Sequence, residues 1–212
     1  MNLVVLGPQG SGKGTQADLL TERYGFRHIE TGKRLRGIAA SDHPLADQIR
    51  KIINSGDLVS DEMLMLVIQD EVVEANGKNL IFDGTPRNVE QYLLLDKMLE
   101  KFGGKIDRIV LINIPEEETI KRLTSRRTCL SCGKVFNLIT NPSAESEKCE
   151  CGGTLAKRED DTPEAIRQRL NVYKNQTQQV IAEAKIRGTL LEIDGNKSIE
   201  EIHQEIVRGL GI

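Results

Sequence analysis

A glycine-rich loop with a single lysine, the stretch GPQGSGKGT at residues 7–15, follows a short apolar run near the start of the sequence. Glycines let successive backbone N–H groups turn toward phosphate oxygens, and the N-terminus of a following helix adds positive potential. Lys13 adds a mobile charge for β- and γ-phosphates. Gly14 stands directly after the lysine, where Ser or Thr is usual, and Thr15 comes one place later. The pattern predicts a nucleotide-phosphate site; the alternative is a glycine turn that only packs a helix against a strand.

Positive charge, rather than a general base, is the second chemical signal. If the acceptor of the phosphoryl group is itself a phosphate, its attacking oxygen is already anionic near neutral pH and needs no general base; consistently, His28, His43 and His203 lie in no motif. Two polyanions that meet in line do need cations, and arginine forks suit phosphate better than lysine does. Six arginines lie at motif positions: Arg36, Arg87, Arg122, Arg126, Arg158 and Arg169. They indicate a kinase that acts on a phosphorylated acceptor.

All four cysteines lie in one segment, as Cys129 and Cys132 followed by Cys149 and Cys151. Clustered thiols in a reducing compartment indicate metal, and four soft ligands favour a closed, structural Zn²⁺ site. The second pair is separated by one residue instead of the more common two, which strains the usual knuckle. Reduced free thiols and a redox pair are the two alternatives.

The elements that must position these residues alternate along the chain. The predicted strands are Leu3–Leu6, Leu80–Phe82, Ile109–Ile114 and Leu190–Ile193. The predicted helices are Gly14–Tyr24, Asp61–Ala75, Asn88–Lys101, Glu116–Ser125, Pro163–Ile186 and a last one that opens on the capping box from Ser198 to Glu201. Short apolar strands between helices predict an α/β fold with a parallel sheet covered on both faces. Residues from about 30 to 60 and from about 127 to 160 interrupt this order and are predicted to be insertions.

Composition limits the classes of protein further. The chain has 212 residues, 38% of them hydrophobic and 29% charged, with a formal net charge of −3. These values are typical of a soluble globular protein, and they give no excess of positive charge for a nucleic-acid or membrane partner. The apolar run Leu3–Leu6 has no basic residue before it and is too short for a signal peptide. We therefore expect a cytoplasmic protein.

Four motifs together carry a family resemblance: the loop GPQGSGKGTQ, the stretch from Thr31 to Arg36 (TGKRLR), the stretch from Asp83 to Arg87 (DGTPR), and Gln91. With them the chain resembles the long-lid adenylate kinases, over essentially all of its length. The resemblance implies the reaction MgATP + AMP ⇌ 2 ADP, with ATP, AMP and ADP as ligands, in a monomer.

The resemblance also implies a domain organisation. A P-loop core of the NTPase type would comprise residues 1–29, 60–125 and 162–212. A small helical NMP-binding insertion would span residues 30–59, and a zinc-ribbon-like lid would span residues 126–161. Both insertions would close on the substrates, because water is a competing nucleophile that the site must exclude.

The resemblance assigns roles to individual residues. The catalytic residues would be Lys13, Arg87, Arg126, Arg158 and Arg169. ATP would be bound by Gly10, Ser11, Gly12, Lys13, Gly14, Thr15, Arg122, Arg126, Val135, Phe136 and Lys197. AMP would be bound by Thr31, Arg36, Asp57, Leu58, Val59, Gly84, Thr85, Pro86, Arg87, Gln91, Arg158 and Arg169. Asp83 would hold Mg²⁺ through water, or alternatively cap a turn or helix. Arg122 and Arg126 are expected on one face of a helix, because they are four residues apart.

Three positions depart from the common family pattern. Gln9 replaces a proline, Lys33 replaces an aspartate, and Thr85 replaces a phenylalanine of the acceptor pocket. The last two changes concern acceptor affinity and selectivity for AMP and leave the ATP side untouched. The nearest alternative is a sister nucleoside monophosphate kinase that acts on UMP or CMP, or one that uses GTP as donor. A second alternative is a P-loop switch protein whose zinc ribbon binds nucleic acid or protein. The composition of the ribbon argues against nucleic-acid binding, because its acidic residues outnumber its basic ones and it has one aromatic residue. These residues are Lys134, Lys148, Glu145, Glu147, Glu150 and Phe136.

Overall fold

The computed structural model describes residues 1–139 and 148–212. The strands are β1 Leu3–Leu6, β2 Arg27–Glu30, β3 Leu80–Asp83, β4 Arg108–Asn113, β5 Arg126–Cys129, β6 Val135–Asn137, β7 Leu155–Ala156 and β8 Leu190–Asp194. The helices are α1 Lys13–Tyr24, α2 Thr31–Ala39, α3 Ala46–Ser55, α4 Asp61–Glu74, α5 Val89–Glu100, α6 Glu116–Thr124, α7 Pro163–Val172, α8 Gln178–Ile186 and α9 Ile199–Leu210. Part of the predicted lid, with Glu145 and Glu147, lies outside the described residues.

Five strands form one parallel sheet in the order β2-β3-β1-β4-β8. In the register, Leu3 of β1 lies beside Ile81 of β3 and Arg108 of β4. The parallel sheet is confirmed, and so are the four strands that the apolar runs predict. Strand β2 was not predicted, because Ile29 is its only apolar residue. It is an edge strand that pairs with β3 alone, so it needs less apolar surface than a central strand does.

Alternate residues of each strand enter two separate apolar layers. Val4 and Leu6 pack with the buried faces of α4, α5 and α8. Leu3 and Val5 point the other way, into a layer with α1 and α9. The sheet is thus buried on both faces, and this explains why its central strands are continuous apolar runs.

The phosphate-binding loop lies between β1 and α1, as its motif requires. Gly7 packs so closely on the sheet that a Cβ there would lie 2.2 Å from the carbonyl oxygen of Ile112. Gly12 caps α1 in the left-handed conformation, with φ 95°. Both positions therefore need glycine. The carboxyl end of β1 and the N-terminus of α1 consequently meet at one short turn.

Two predicted helix starts are confirmed, and one predicted helix is divided. Thr162 caps α7 through its side chain, with Pro163 in the first turn. Ser198 and Glu201 form the reciprocal capping box of α9. The segment predicted as one helix over Pro163–Ile186 is interrupted by a π-helical turn, Tyr173–Thr177.

The two predicted insertions differ in their structure. Between β2 and α4 the chain forms α2 and α3, and Arg34 of α2 pairs with Glu71 of α4. Residues after α6 form a three-stranded antiparallel sheet in the order β6-β5-β7. Its apolar cluster is very small and consists of Cys129, Phe136, Cys149, Leu155 and the partly buried Leu138. No helix in the described parts of the chain is both long and apolar enough to cross a membrane.

Candidate active site

A cavity of about 1330 Å³ opens at the carboxyl ends of β1 and β3. Open parallel sheets bind ligands at this edge. The phosphate-binding loop, α2, the end of α3, the small antiparallel sheet and α7 all contribute to its wall. Of the residues predicted to bind nucleotide, all line the cavity except Thr85 and Pro86. The fold thus brings together residues from position 10 to position 197.

Lys13 lies in the phosphate-binding loop and forms no ion pair with a carboxylate of residues 1–139 or 148–212. Its Nζ donates to the carbonyl oxygens of Gly7 at 2.9 Å and Pro8 at 2.8 Å. Burial lowers the pKa of Lys13 to about 8, with Asp83 opposing this shift and Arg87 adding to it. A partly buried ammonium that forms no ion pair with a described carboxylate favours the arrival of an anion.

Asp83 ends β3 beside this loop. A Cβ on Gly14 would lie 3.3 Å from the Oδ2 of Asp83, so the position after the lysine faces this carboxylate directly. Burial alone would raise the pKa of Asp83, but His28 and the charge of Lys13 lower it below its ordinary value. The carboxylate therefore stays ionised near neutral pH. An ionised oxygen donor beside a phosphate loop fits Mg²⁺.

His28 belongs to this part of the site, although it lies in no sequence motif. Its Nδ1 is 2.9 Å from Oδ1 of Asp18, and its Nε2 is 3.6 Å from Oδ2 of Asp83. Burial opposes its positive charge, but the two carboxylates raise the pKa of His28 to about 9. The imidazolium is thus a further cation behind Asp83.

Arg87 and Arg158 face the cavity, and neither forms an ion pair with any residue that the structure describes. Nε of Arg87 donates to the carbonyl oxygen of Gly84 at 2.8 Å, and Nε of Arg158 donates to Oγ1 of Thr128 at 2.9 Å. Burial, together with neighbouring arginine charges, lowers the pKa of each to about 10. Both guanidiniums are still charged at neutral pH, and the more distant carboxylates of Asp83, Asp160 and Asp161 offset these shifts only in part.

Arg126 and Arg169 differ from them, because two aspartates neutralise them. Nε of Arg126 donates to Oδ2 of Asp161 at 2.9 Å, and Nη1 of Arg169 donates to Oδ1 of the same carboxylate at 3.2 Å. Arg169 also pairs with Asp160 and donates to the carbonyl oxygen of Ile53, 3.2 Å away in α3. One side chain of α7 thus contacts both the end of the small antiparallel sheet segment and α3.

Arg122 and Arg126 do not share a helix face, contrary to expectation. Helix α6 ends at Thr124, and Arg126 is the first residue of β5. Arg122 donates to Glu118 at 2.8 Å and to the carbonyl oxygen of Gly195 at 3.1 Å. Val135, Phe136 and Lys197, predicted at the edge of the ATP site, line the same cavity as Arg122.

Gln91 is almost fully buried and already has two partners. Its Oε1 accepts from the backbone N–H of Arg87 at 2.7 Å, and its Nε2 donates to Oδ1 of Asp61 at 2.9 Å. A side-chain amide has two donors and two acceptor sites. One donor and one acceptor site therefore remain for a base edge, and Asp61, which the sequence did not single out, fixes the orientation of the amide.

Two of the departures from the family pattern occupy different environments. Thr85 is fully buried, with its hydroxyl unpartnered, and it does not line the cavity. The expectation that it removes an aromatic from the cavity wall therefore lacks a basis in the geometry. Lys33 does line the cavity, and a Cβ on Gly133 would lie 3.4 Å from its Cε. Gly133 follows Cys132, so the first turn of α2 approaches the cysteine segment.

The four cysteines lie together despite the short spacing of the second pair. All four Sγ atoms lie within 4.8 Å of one another, with Cys129 to Cys151 at 3.5 Å and Cys132 to Cys149 at 3.6 Å. Sulfurs held about 2.3 Å from one zinc in a tetrahedron are separated by roughly 3.8 Å. The donor set and its spacing therefore fit Zn²⁺.

The surroundings of the thiols shift their pKa values in opposite directions. Backbone N–H groups lower the pKa of Cys129 to about 6. The N–H of Cys151 acts in the same direction on Cys149, but burial and the neighbouring thiols raise the pKa of Cys149 to about 12. Four thiolates cannot ionise together at neutral pH unless a metal compensates their charge.

Comparisons with known proteins agree with this geometry. The model of the adenylate kinase family matches residues 5–188. An adenylate kinase of Archaeoglobus fulgidus is 41% identical over 208 residues, which cover 97% of this chain and 96% of that protein. Adenylate kinases of Kosmotoga olearia and Caldicellulosiruptor bescii are 40% and 38% identical, over 99% and 100% of both chains. These similarities span nearly the whole sequence, and the chain therefore belongs to the adenylate kinase family.

Proposed function

We propose that this phosphotransferase carries out the ATP:AMP reaction of its family inside the cavity, where MgATP and AMP give two ADP. The observation that supports the site most strongly is a set of three partly buried cations that line the cavity and form no ion pair with any described carboxylate, namely Lys13, Arg87 and Arg158. Keeping such charges out of water costs free energy unless an anion compensates them. Two polyphosphorylated ligands supply that compensation.

The donor would lie over the phosphate-binding loop. Its backbone N–H groups from Gly10 to Thr15 would bind the β-phosphate, and Lys13 would leave the loop carbonyls for the β- and γ-phosphates. Arg122, held by Glu118 and Gly195, would pack on the base together with Val135 and Phe136. Lys197 would close the outer edge.

The acceptor would lie between α2, the end of α3 and the start of α5. Arg36 and Arg87 would bind its phosphate, while Thr31 and the stretch from Asp57 to Val59 would flank the nucleoside. Gln91 would use its remaining donor and acceptor on the base edge. This arrangement suits adenine, and it leaves selectivity to be tested because Lys33 lies in the same wall.

Transfer itself would depend on charge and position. The acceptor phosphate is anionic, so no side chain must take its proton. Arg126, Arg158 and Arg169 would surround the transferring group and stabilise the charge spread over its oxygens. Their positions on β5, just after β7 and on α7 would also exclude water when the lid is closed.

Asp83 fits the role of holding Mg²⁺ through water, since its carboxylate is ionised and adjacent to Gly14. When bound, Mg²⁺ would neutralise phosphate charge. The four cysteines would hold a structural zinc, which would stabilise a segment whose apolar cluster is too small to fold alone. We further propose that residues 30–59 and 126–161 move as units against the core. A cytoplasmic location, a monomeric state and the absence of nucleic-acid partners stay predictions.

The test of this function is phosphoryl transfer from MgATP to AMP, GMP, CMP and UMP in parallel. We expect turnover with AMP to exceed turnover with each other acceptor by roughly tenfold or more, because Gln91 offers a directed donor and acceptor to the base. Coupled detection of ADP measures transfer, and a reaction without acceptor measures hydrolysis. Similar or greater turnover with another monophosphate would assign a broader kinase. Hydrolysis without transfer would overturn the kinase mechanism.

Arg158→Ala is expected to lower kcat with AMP by about 10²-fold to 10³-fold, because it removes a charge that faces the transferring group. Arg167→Ala is the matched control, since Arg167 is an exposed arginine of α7 whose one ion pair among the described residues is with Glu164. Steady-state kinetics measure kcat with AMP for both variants. An equal, small effect of the two substitutions would remove Arg158 from the catalytic group.

ATP without metal is expected to bind near pH 8 with uptake of roughly half a proton, because Lys13 is then half deprotonated in the free protein. A bound phosphate favours the charged ammonium and raises its pKa, whereas the phosphates are already ionised at this pH. Affinity should therefore rise as the pH falls through about 8. Calorimetry in two buffers of different ionisation enthalpy, with a chelator present, measures the uptake. Lys13→Arg keeps a charge that does not titrate, so unchanged uptake in this variant would assign the proton elsewhere.

One zinc per chain is expected by mass spectrometry of the native protein, and its removal by a chelator should lower Tm by about 5 °C. Cys132→Ser and Cys151→Ser should each lose the metal, since each removes one of four donors. Leu130→Ala is the matched control, because Leu130 is an exposed residue between the first two cysteines. If the native protein carries no metal and the chelator leaves its Tm unchanged, a structural zinc is excluded.

A further inference from the structure

We propose that Glu30 competes with the acceptor's phosphate for Arg36, and that it thereby weakens acceptor binding while it holds this guanidinium in place in the empty site. The inference rests on the proposed function, in which Arg36 binds the phosphate of AMP. It assigns a role in setting acceptor affinity to a carboxylate that no motif singles out.

Glu30 is the last residue of β2 and stands at the N-cap position of α2. Acceptor side chains at this position usually bond the first backbone N–H groups of the helix, but the Glu30 carboxylate makes no such bond. Instead, Nη2 of Arg36 donates to its Oε1 at 3.1 Å. Both side chains are about one-third exposed and line the cavity. The pair is therefore accessible to a ligand.

Arg36 lies where the acceptor phosphate is expected. A Cβ on Gly32 would lie 3.1 Å from its Nη1, so the guanidinium packs over the first turn of α2. A Cβ on Gly84 would lie 3.5 Å from Nη2 of Arg87 and 3.9 Å from the backbone nitrogen of Gly32. The guanidiniums of Arg36 and Arg87 thus lie beside the place where Gly32 and Gly84 come close together. The charge of Arg36 contributes to the lowered pKa of Arg87 and Arg158, which agrees with a shared space.

Arg36 and Arg87 differ in their compensation. Arg87 forms no ion pair with a described residue, whereas one amino group of Arg36 is already bound to a carboxylate. A guanidinium binds phosphate best through two adjacent N–H groups. The phosphate must therefore displace Glu30 or share Arg36 with it, and a carboxylate beside a phosphate dianion is repelled.

The neighbouring charges do not neutralise Glu30 in place of Arg36. Arg34, on the same helix, is paired with Glu71 of α4. Lys33 approaches Gly133, and its ammonium forms no ion pair with Glu30. Within residues 1–139 and 148–212, Arg36 is the cation in ion-pair contact with Glu30. Removal of the Glu30 charge should consequently act through Arg36.

Glu30→Gln tests the proposal. We expect the KM for AMP to fall by roughly threefold, since a partly exposed ion pair of this kind is weak but must be broken by the ligand. The KM for ATP should not change, because the donor lies over the phosphate-binding loop. Glu74→Gln is the matched control: Glu74 pairs with Arg27 of the same strand, and it does not line the cavity. An unchanged or increased KM for AMP in Glu30→Gln would overturn the competition.

Arg36→Ala and the double variant Glu30→Gln/Arg36→Ala distinguish a failure of the proposed competition from a failure of the proposed acceptor site. We expect Arg36→Ala to raise the KM for AMP by roughly tenfold or more, and Glu30→Gln to have no further effect in that background. If Arg36→Ala leaves the KM for AMP unchanged, the acceptor site itself is misassigned. If Arg36→Ala acts but Glu30→Gln lowers KM equally in both backgrounds, general repulsion operates and direct competition is wrong.

Discussion

Positive charge that is partly shielded from water inside the cavity is the constraint on which the rest of this structure depends. Lys13, Arg87 and Arg158 keep their charge at neutral pH although burial lowers the pKa of each. Transfer of cations out of water costs free energy, and a bound anion that compensates their charge offsets this cost. In the proposed function, phosphate would compensate these charges, and the affinity of the cavity for polyanions would come from the same charges that cost free energy when it is empty.

The cations of the cavity fall into two groups, those with an ion-pair partner and those without one among the described residues. Arg126 and Arg169 share Asp161, so they can stay in the empty site at low electrostatic cost. Arg169 also reaches the carbonyl oxygen of Ile53 in α3. The aspartate thus orients two guanidiniums and ties α7 to the segment that carries the cysteines. Unpaired cations supply attraction for the ligands, and paired cations supply position.

The sequence predicted the cations of the site better than their carboxylate partners. Lys13 and the arginines stand in motifs because phosphate chemistry fixes their type, and the central strands are apolar because both of their faces are buried. Strand β2 has one apolar residue, so the pattern missed it, and with it the roles of His28 and Glu30. Asp160 and Asp161 directly precede the predicted cap Thr162, where an acidic pair is also consistent with a solvated helix start. Only the folded chain brings them to the arginines.

The small antiparallel sheet combines two requirements that conflict. In the proposed reaction it would carry Arg126 and Arg158 to the transferring phosphate. It would also move away for ligands to enter and exit, so a large apolar contact with the core would oppose its function. A segment that moves as a unit must then be rigid by itself, yet its apolar cluster contains little more than Phe136 and Leu155 beside the cysteines. The four-thiolate metal site that we propose would resolve the conflict, because it would supply local folding free energy within the segment itself. The position of Gly153 agrees with this, since a Cβ there would lie 2.6 Å from Sγ of Cys129 and would disrupt the close approach of the two cysteine turns.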